Sequence, residues 1–327
     1  RFHQWYESTE PVRLQAQETF DKHISQQIDY DWFRRFFGET CTSTRQITLS
    51  LLNGQGNYGC STRLKDGTLR MNPIIGCSAC DSVGCPIYRP EIVPLVIHEF
   101  CHAYCNPFVD EHMDDMRRSA ERLFQLNETN LRARAYGNAT IMLYESLVRS
   151  CVLNYQMEHT RSFDLQQALS TEKDFCLVPS LTDALQKKTA RLDESASVVV
   201  NAVNRFDYKT YAKQKKREQQ LNAKIKCSIR DGQRKVAPGK VRLELTFSKP
   251  MQPSVALHYG QYADASFPDF DASAEKKVVW SADQKKQYLL LDLKPATHYA
   301  FSILGGRYRT LDGHSAGDTM YIHFWTK

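Results

Sequence analysis

The sequence predicts an α+β, mostly helical domain with a small sheet over residues 1–222, followed by an all-β sandwich over residues 223–327. Three observations carry that division. The chain has 327 residues and is 42% hydrophobic, which is enough for two cores. Residues 223–327 hold 16 Lys/Arg against 10 Asp/Glu, so the whole net charge of +6 lies there, and nine of the ten cysteines precede residue 223. The apolar period also changes near 210–226, where KTYAKQKKREQQLNAK is polar and lysine-rich. It reads as the solvated end of a helix leading into a linker.

Taken in order, PVRLQAQETFDKHISQQ and YDWFRRFF carry an aromatic-rich apolar face at helical spacing. ITLSLLNG (47–54) is short, β-rich and ended by glycine, GQGNYG marks a turn, and TLRMNPIIG (68–76) is a second strand. RPEIVPLVIHEFCHAY returns to helical spacing, with Pro and Glu in its first turn and Asn106-Pro107 as its stop. Helices are then expected over 113–126, 131–157 and 178–204. Asp110, Glu111, Asp114 and Asp115 read as an acidic helix start that complements the dipole.

The last hundred residues alternate instead. KIKCSIRDG, KVRLELTFS, SVALHYG, KKVVWSAD, QYLLLDL, HYAFSIL and TMYIHFWT are seven segments separated by turns, as in a sandwich of immunoglobulin type. No stretch approaches the roughly 18 apolar residues of a membrane helix. The lysine-rich run lacks interleaved aromatics and any nucleic-acid-binding motif, so no nucleic-acid partner is expected. The chain opens at Arg1, so a removed leader, or a lipid-modified cysteine, would lie upstream.

His98-Glu99-Phe100-Cys101-His102 is an H-E-x-x-H pattern inside a predicted helix, where chance would supply roughly 0.015 occurrences in this composition. The two histidines project from one helix face, about 6 Å apart along the axis, and can share one zinc ion. Glu99 can then act as general base toward a metal-bound water. The bland alternative is a buried helix with two hydrogen-bonded histidines.

Catalytic zinc needs a third protein ligand and an open position. Cys105 lies about 10 Å beyond His98 on the same helix, too far along to share the ion. Position 108, where a third histidine could follow, is Phe. Glu121 has Arg117, Arg118 and Gln125 within a turn and reads as solvated. Glu145, by contrast, interrupts an apolar stripe formed by Ile141, Val148 and Val152, and an unpaired buried carboxylate is costly unless a cation neutralises it. Glu145 is therefore the expected third ligand, the alternative being an ion pair with Arg149.

At this point the chain resembles the gluzincin metallopeptidases, in which an HExxH helix and a later Glu hold zinc. More narrowly, GNYG (56–59), VIHEFCHAYCNP (96–107) and YESLVR (144–149) resemble the bacterial domain-of-unknown-function family 4932 over residues 20–210. The resemblance implies a zincin-like catalytic domain with His98, His102 and Glu145 on zinc and Glu99 as base. It also implies that Asn57, Tyr58 and Gly59 lie on or near the edge strand beside the cleft, and that the protein is extracytoplasmic (periplasmic, cell-surface or secreted) in a Gram-negative bacterium. The chain departs from the best-known gluzincins in the 43-residue gap from His102 to Glu145 and in Arg149, which stands where some have an acidic residue. VRLELTFSKPMQPSV (241–255) separately resembles bacterial Ig-like modules.

The expected function is hydrolysis of peptide bonds in a peptide or protein substrate by a monomeric zinc metallopeptidase. The alternative is an inactive zincin scaffold serving as a cell-surface module for a protein or polysaccharide. Tyr136, Tyr144 and Arg149 flank Glu145 and are candidates for oxyanion stabilisation or for orienting the ligands. Cys77, Cys80 and Cys85 could hold a structural zinc with Cys60, form a disulfide, or stay free. Cys101, Cys105 and Cys151 read as small core residues. Lys276-Lys277 and Lys285-Lys286 read as solvated hairpin positions.

Overall fold

The computed structural model describes residues 1–38, 42–172, 174–187, 191–259, 262, 264–269 and 278–327. The chain forms two compact units, one of residues 1–125 and 136–206, the other of residues 126–135 and 207–327. It is mixed α and β, and among the described residues no helix is long and apolar enough to cross a membrane.

The first unit opens with α1 (Phe2–Ser8), α2 (Glu10–His23) and α3 (Tyr30–Phe37). Helix α3 starts because the Asp29 carboxylate accepts from the backbone N–H groups of Asp31 and Trp32, and ends because Gly38 takes φ 77°. Its aromatic run is buried as a plate, in which Phe37 stacks on Tyr104 at 4.3 Å, Phe33 meets Phe100 at 5.6 Å and Trp32 meets Tyr155 at 5.1 Å. Phe100 and Tyr104 flank His102, so this plate backs the HExxH helix.

The sheet is built around β4 (Leu69–Gly76), which takes β1 (Ser43–Arg45) and β2 (Thr48–Ser50) in parallel and β3 (Tyr58–Arg63) antiparallel. Strand β3 is an edge. The turn before it is fixed by Asn57, whose Oδ1 accepts from the Gly76 N–H at 3.0 Å.

Helix α4 (Val93–Ala133) runs unbroken for 41 residues. The expected stop at Asn106-Pro107 is therefore wrong: Pro107 lies inside it. Proline costs a helix interior about 3 kcal/mol. Val109, Met113, Met116, Ala120 and Leu123 are all buried and continue the apolar stripe past it. At 2–3 kcal/mol per well-buried large side chain, this outweighs the break. Asp110, Glu111, Asp114 and Asp115 consequently sit in mid-helix, away from any N-terminus. Asp114 instead pairs with Arg117 at 2.7 Å.

The expected helix over 131–157 is likewise interrupted. A new helix, α5 (Ala139–His159), begins where the Asn138 side chain accepts from the Ile141 N–H. After α6 (Leu165–Thr171), the expected 178–204 helix divides into α7 (Val178–Gln186) and α8 (Ala196–Asn204). Ser146, Ser150 and Asn154 of α5 return hydrogen bonds to their own helix at Met142, Ser146 and Ser150 carbonyls, which keeps their polar atoms satisfied in the core.

The second unit holds α9 (Tyr208–Leu221) and eight strands among the described residues: β5 (Ile225–Cys227), β6 (Gln233–Val236), β7 (Gly239–Phe247), β8 (Leu257–Tyr259), β9 (Val278–Trp280), β10 (Lys286–Leu293), β11 (His298–Ile303) and β12 (Met320–Thr326). They form two four-stranded sheets, ordered β5-β7-β10-β9 and β6-β12-β11-β8. Alternate residues Leu243, Leu245 and Phe247, Leu289, Leu291 and Leu293, and Phe301, Ile303 and Phe324 meet in one shared core. Each of the seven alternating segments contains a strand, and Gln233–Val236 adds an eighth. Lys286 pairs with Glu244 at 3.0 Å, whereas Lys276 and Lys277 lie outside the described residues.

Candidate metal centre

His98 and His102 stand one turn apart on α4, and their Nε2 atoms face each other at 3.2 Å. Glu145 of α5 closes the group, with Oε2 3.6 Å from His98 Nε2 and Oε1 3.5 Å from His102 Nε2. Among the described residues these three form a group of three side chains that could hold a metal ion, with their donor atoms all within 4.8 Å of one another.

The spacing tests the fit. Ligands about 2.0–2.1 Å from a tetrahedral ion lie about 3.3 Å from each other, close to the three observed separations. His102 Nδ1 donates to Asn106 Oδ1 at 3.0 Å, an assignment that leaves Nε2 as a bare lone pair. Burial, and then the nearness of His102 and of the Arg149 guanidinium, hold His98 well below the ordinary imidazole pKa, so its ring is able to donate a lone pair. Two imidazoles and one carboxylate suit a borderline transition ion and are a poor set for calcium or magnesium.

Glu99 is buried, only 6% exposed. Burial, reinforced by the Glu145 charge, pushes its carboxyl up to about 8. A bound cation would reverse that pressure, because it favours the ionised form.

Behind the ligands, Arg149 bridges two carboxylates. It reaches Glu145 Oε2 at 3.4 Å and Glu172 at 3.1 and 3.3 Å, donates to the Tyr136 hydroxyl at 3.4 Å and lies over the Phe175 ring at 4.3 Å. The ion pair weighed as the alternative for Glu145 is thus present together with the ligand set. Tyr136 meets Arg149 through its hydroxyl and Phe175 through its ring. Tyr144 points elsewhere: its hydroxyl donates to Asp110, eight residues and about 12 Å along α4 from His102. The oxyanion role considered for Tyr144 is not supported, since adjacent helical positions diverge by about 100° and Glu145 takes the inward one.

Edge strand β3 runs directly against α4. A Cβ added at Gly59 would lie 2.5 Å from the Glu99 carbonyl oxygen and 2.6 Å from His102 Cβ, so the strand backbone touches α4 at Glu99 and His102. Tyr58, the neighbour on the opposite face, is 54% exposed.

Sequence reasoning did not reach Asn106 or Glu172. Asn106 stands four residues after His102, a spacing that could have indicated it. Glu172 follows a helix break, and no local pattern joins it to Arg149. The cysteines are not gathered as ligands: Cys77 and Cys80 thiols lie 3.9 Å apart, Cys60 is exposed on β3, and neither they nor Cys85 join a metal-holding group among the described residues. Cys101, Cys105 and Cys151 are buried.

Residues 1–173 match the family described as Domain of unknown function (DUF4932). The chain belongs to that family. No curated protein matches it. Among solved structures, it is similar to the crystal structure of the S-layer protein rSbsC(31-844), at 18% identity and TM-score 0.22 over 65% of this chain and 32% of that one. It is also similar to surface layer protein SbsC, domains 1-6, at 14% identity and TM-score 0.23 over 73% of this chain and 34% of that one. The chain thus spans about a third of the length of these structures.

Proposed function

We propose that this member of the family is a zinc-dependent peptidase of gluzincin type, with His98, His102 and Glu145 as metal ligands and Glu99 as general base. The observation that carries the reading is the convergence of the three donor atoms at tetrahedral ligand spacing, with a buried carboxyl on the residue next to the first histidine. Zinc there would supply a Lewis acid that polarises a carbonyl and acidifies a water. Glu99 would take the proton of the attacking water and return it to the leaving amine. Asn106 would fix the His102 ring, and Arg149 would hold Glu145 in place while Glu172 balances its charge.

The edge strand supports a peptide substrate. Tyr58–Arg63 of β3 has its β4-facing side paired and lies one backbone contact from Glu99, so an extended chain could align along it. In the second unit, the strand orders β5-β7-β10-β9 and β6-β12-β11-β8 support an Ig-like sandwich, since both sheets follow the connectivity of that type. We assign the chemistry to residues 1–222 and the Ig-like sandwich to 223–327. On the family resemblance we place the protein outside the cytoplasm.

The test is cleavage of an unbiased peptide library by the full chain, with zinc and with chelator, beside metal analysis and Glu99→Gln. Expected are one zinc at the centre, chelator-sensitive cleavage, and a Glu99→Gln variant that keeps zinc but loses about 10²–10⁴-fold in rate. Zinc bound without cleavage of any peptide would overturn the peptidase reading in favour of an inactive binding scaffold.

A further inference from the structure

The second unit brings together two more imidazoles, on the sheet face opposite its shared core. The β11–β12 pairing sets His298 opposite Trp325 and Ala300 opposite His323. His298, His323 and Trp325 therefore project from one face, while Tyr299, Phe301, Ile322 and Phe324 point inward and are buried. His298 Nε2 and His323 Nδ1 face each other at 3.4 Å.

The far nitrogen of each ring meets a carboxylate. His298 Nδ1 lies 3.3 Å from Asp264 Oδ2, and His323 Nε2 lies 3.5 Å from Asp231 Oδ1. Asp231 is itself anchored, accepting from the His323 backbone N–H at 2.9 Å. Stacking fixes both ring planes: Trp325 lies on His298 at 4.4 Å and 8°, and Tyr262 on His323 at 4.5 Å and 15°. The two imidazole side chains are only 15% and 19% exposed.

A neutral imidazole has one N–H. When His298 gives it to Asp264 and His323 directs its own toward Asp231, a charge contact at 3.5 Å rather than a hydrogen bond, the two facing nitrogens both present lone pairs, which repel. A cation between them converts that repulsion into two bonds. An imidazole whose second nitrogen is held by a carboxylate is also the usual arrangement of a metal-ligating histidine. With metal–nitrogen bonds of about 2.0–2.1 Å, nitrogens 3.4 Å apart subtend about 110° at the ion, the tetrahedral angle.

We propose that His298 and His323 form a second site for a divalent transition-metal ion, with Asp264 and Asp231 orienting the two rings. Paired imidazoles select zinc, copper or nickel over calcium and magnesium. Water or a donor from another molecule would complete the coordination. This site stands independently of the reading of His98, His102 and Glu145.

The experiment is a calorimetric zinc titration of the full chain in the His98→Ala/His102→Ala background, with circular dichroism to verify folding. One zinc equivalent is expected to remain and to disappear on adding His298→Ala or the milder His323→Gln, while Asp264→Asn weakens it 10–100-fold. Copper(II) bound to the same background should show two nitrogen couplings by electron paramagnetic resonance. A folded background variant that binds no zinc, or zinc that survives loss of both His298 and His323, would overturn the proposal. So would a histidine nitrogen spectrum showing a proton shared between the two rings that does not respond to zinc, because a proton would then be the bridging cation.

Discussion

Replacing Gly59 with alanine tests whether the edge strand and the metal helix are held at backbone contact. The added methyl would lie 2.5 Å from the Glu99 carbonyl oxygen, 2.6 Å from His102 Cβ and 2.9 Å from His102 Cδ2. Non-bonded carbons settle at about 3.5–4.0 Å, so the gap must open by about 1 Å. One of the obstructing atoms is backbone within a 41-residue helix, which leaves the strand and the His102 side chain as the parts that move. Overpacking of this kind costs about 1–3 kcal/mol. In a unit of about 200 residues each kcal/mol lowers Tm by about 2–4 °C, so a fall of roughly 2–12 °C is expected. Melting is followed by circular dichroism in chelator, so that metal does not mask the effect, and zinc affinity is titrated separately. Affinity should also fall, because His102 is one of the displaced groups. Gly137→Ala is the control: its Cβ meets nothing within 4 Å, and its effect should stay within about 0.5 kcal/mol. If Gly59→Ala melts and binds zinc like the parent chain, the close approach is not real.

Three further outcomes follow from the geometry. Glu145→Ala should weaken zinc binding more than 100-fold, Asn106→Ala by the 10–100-fold typical of a group that orients a ligand, and Glu121→Ala not at all, as read by competition with a chromophoric chelator. Burial opposes ionisation of Asp29, but hydrogen bonds from Arg35, His159 and the Trp32 N–H prevail and hold its carboxyl at about 2, below an ordinary 3.8. Its contribution should therefore be complete above about pH 4 and lost as pH falls toward 2. Because the side chain is 31% exposed, urea midpoints should show about 1 kcal/mol that Asp29→Ala removes. Residues 223–327 expressed alone should give a cooperative melt; an insoluble fragment would show that those residues need the rest of the chain.

What was legible in the sequence was whatever a local period encodes. The seven alternating segments announced their strands because every second side chain enters a core. Gln233–Val236 did not, since only Val236 of that strand is buried. The apolar period hid strand β3, which only the family resemblance pointed to: Tyr58–Arg63 is almost wholly exposed, and its close contact with α4 is made by a glycine with no side chain to betray it. The metal set could be read from H-E-x-x-H spacing and from a carboxylate that interrupts an apolar stripe. Proline misled, because helix propensity is weighed locally while the stripe from Val109 to Leu123 is a tertiary fact. Arg149 was flagged, but its bond to Glu172 depends on how α6 is placed, which no spacing gives.

The strand lengths in the second unit have a colloidal consequence. Its long strands, β7, β10, β11 and β12, are all interior to their sheets, whereas among the described residues the four edges, β5, β9, β6 and β8, are three or four residues long. A row of three or four unpaired amides offers a second copy too short a template on which to add a strand. The apolar sequences YLLLDL and YAFSI are paired along the whole of one backbone edge and, on the other, over Tyr288–Leu289 and Phe301–Ile303. Aggregation through these strands would proceed through unfolding of the second unit, so a substitution that loosens its core should cost solubility.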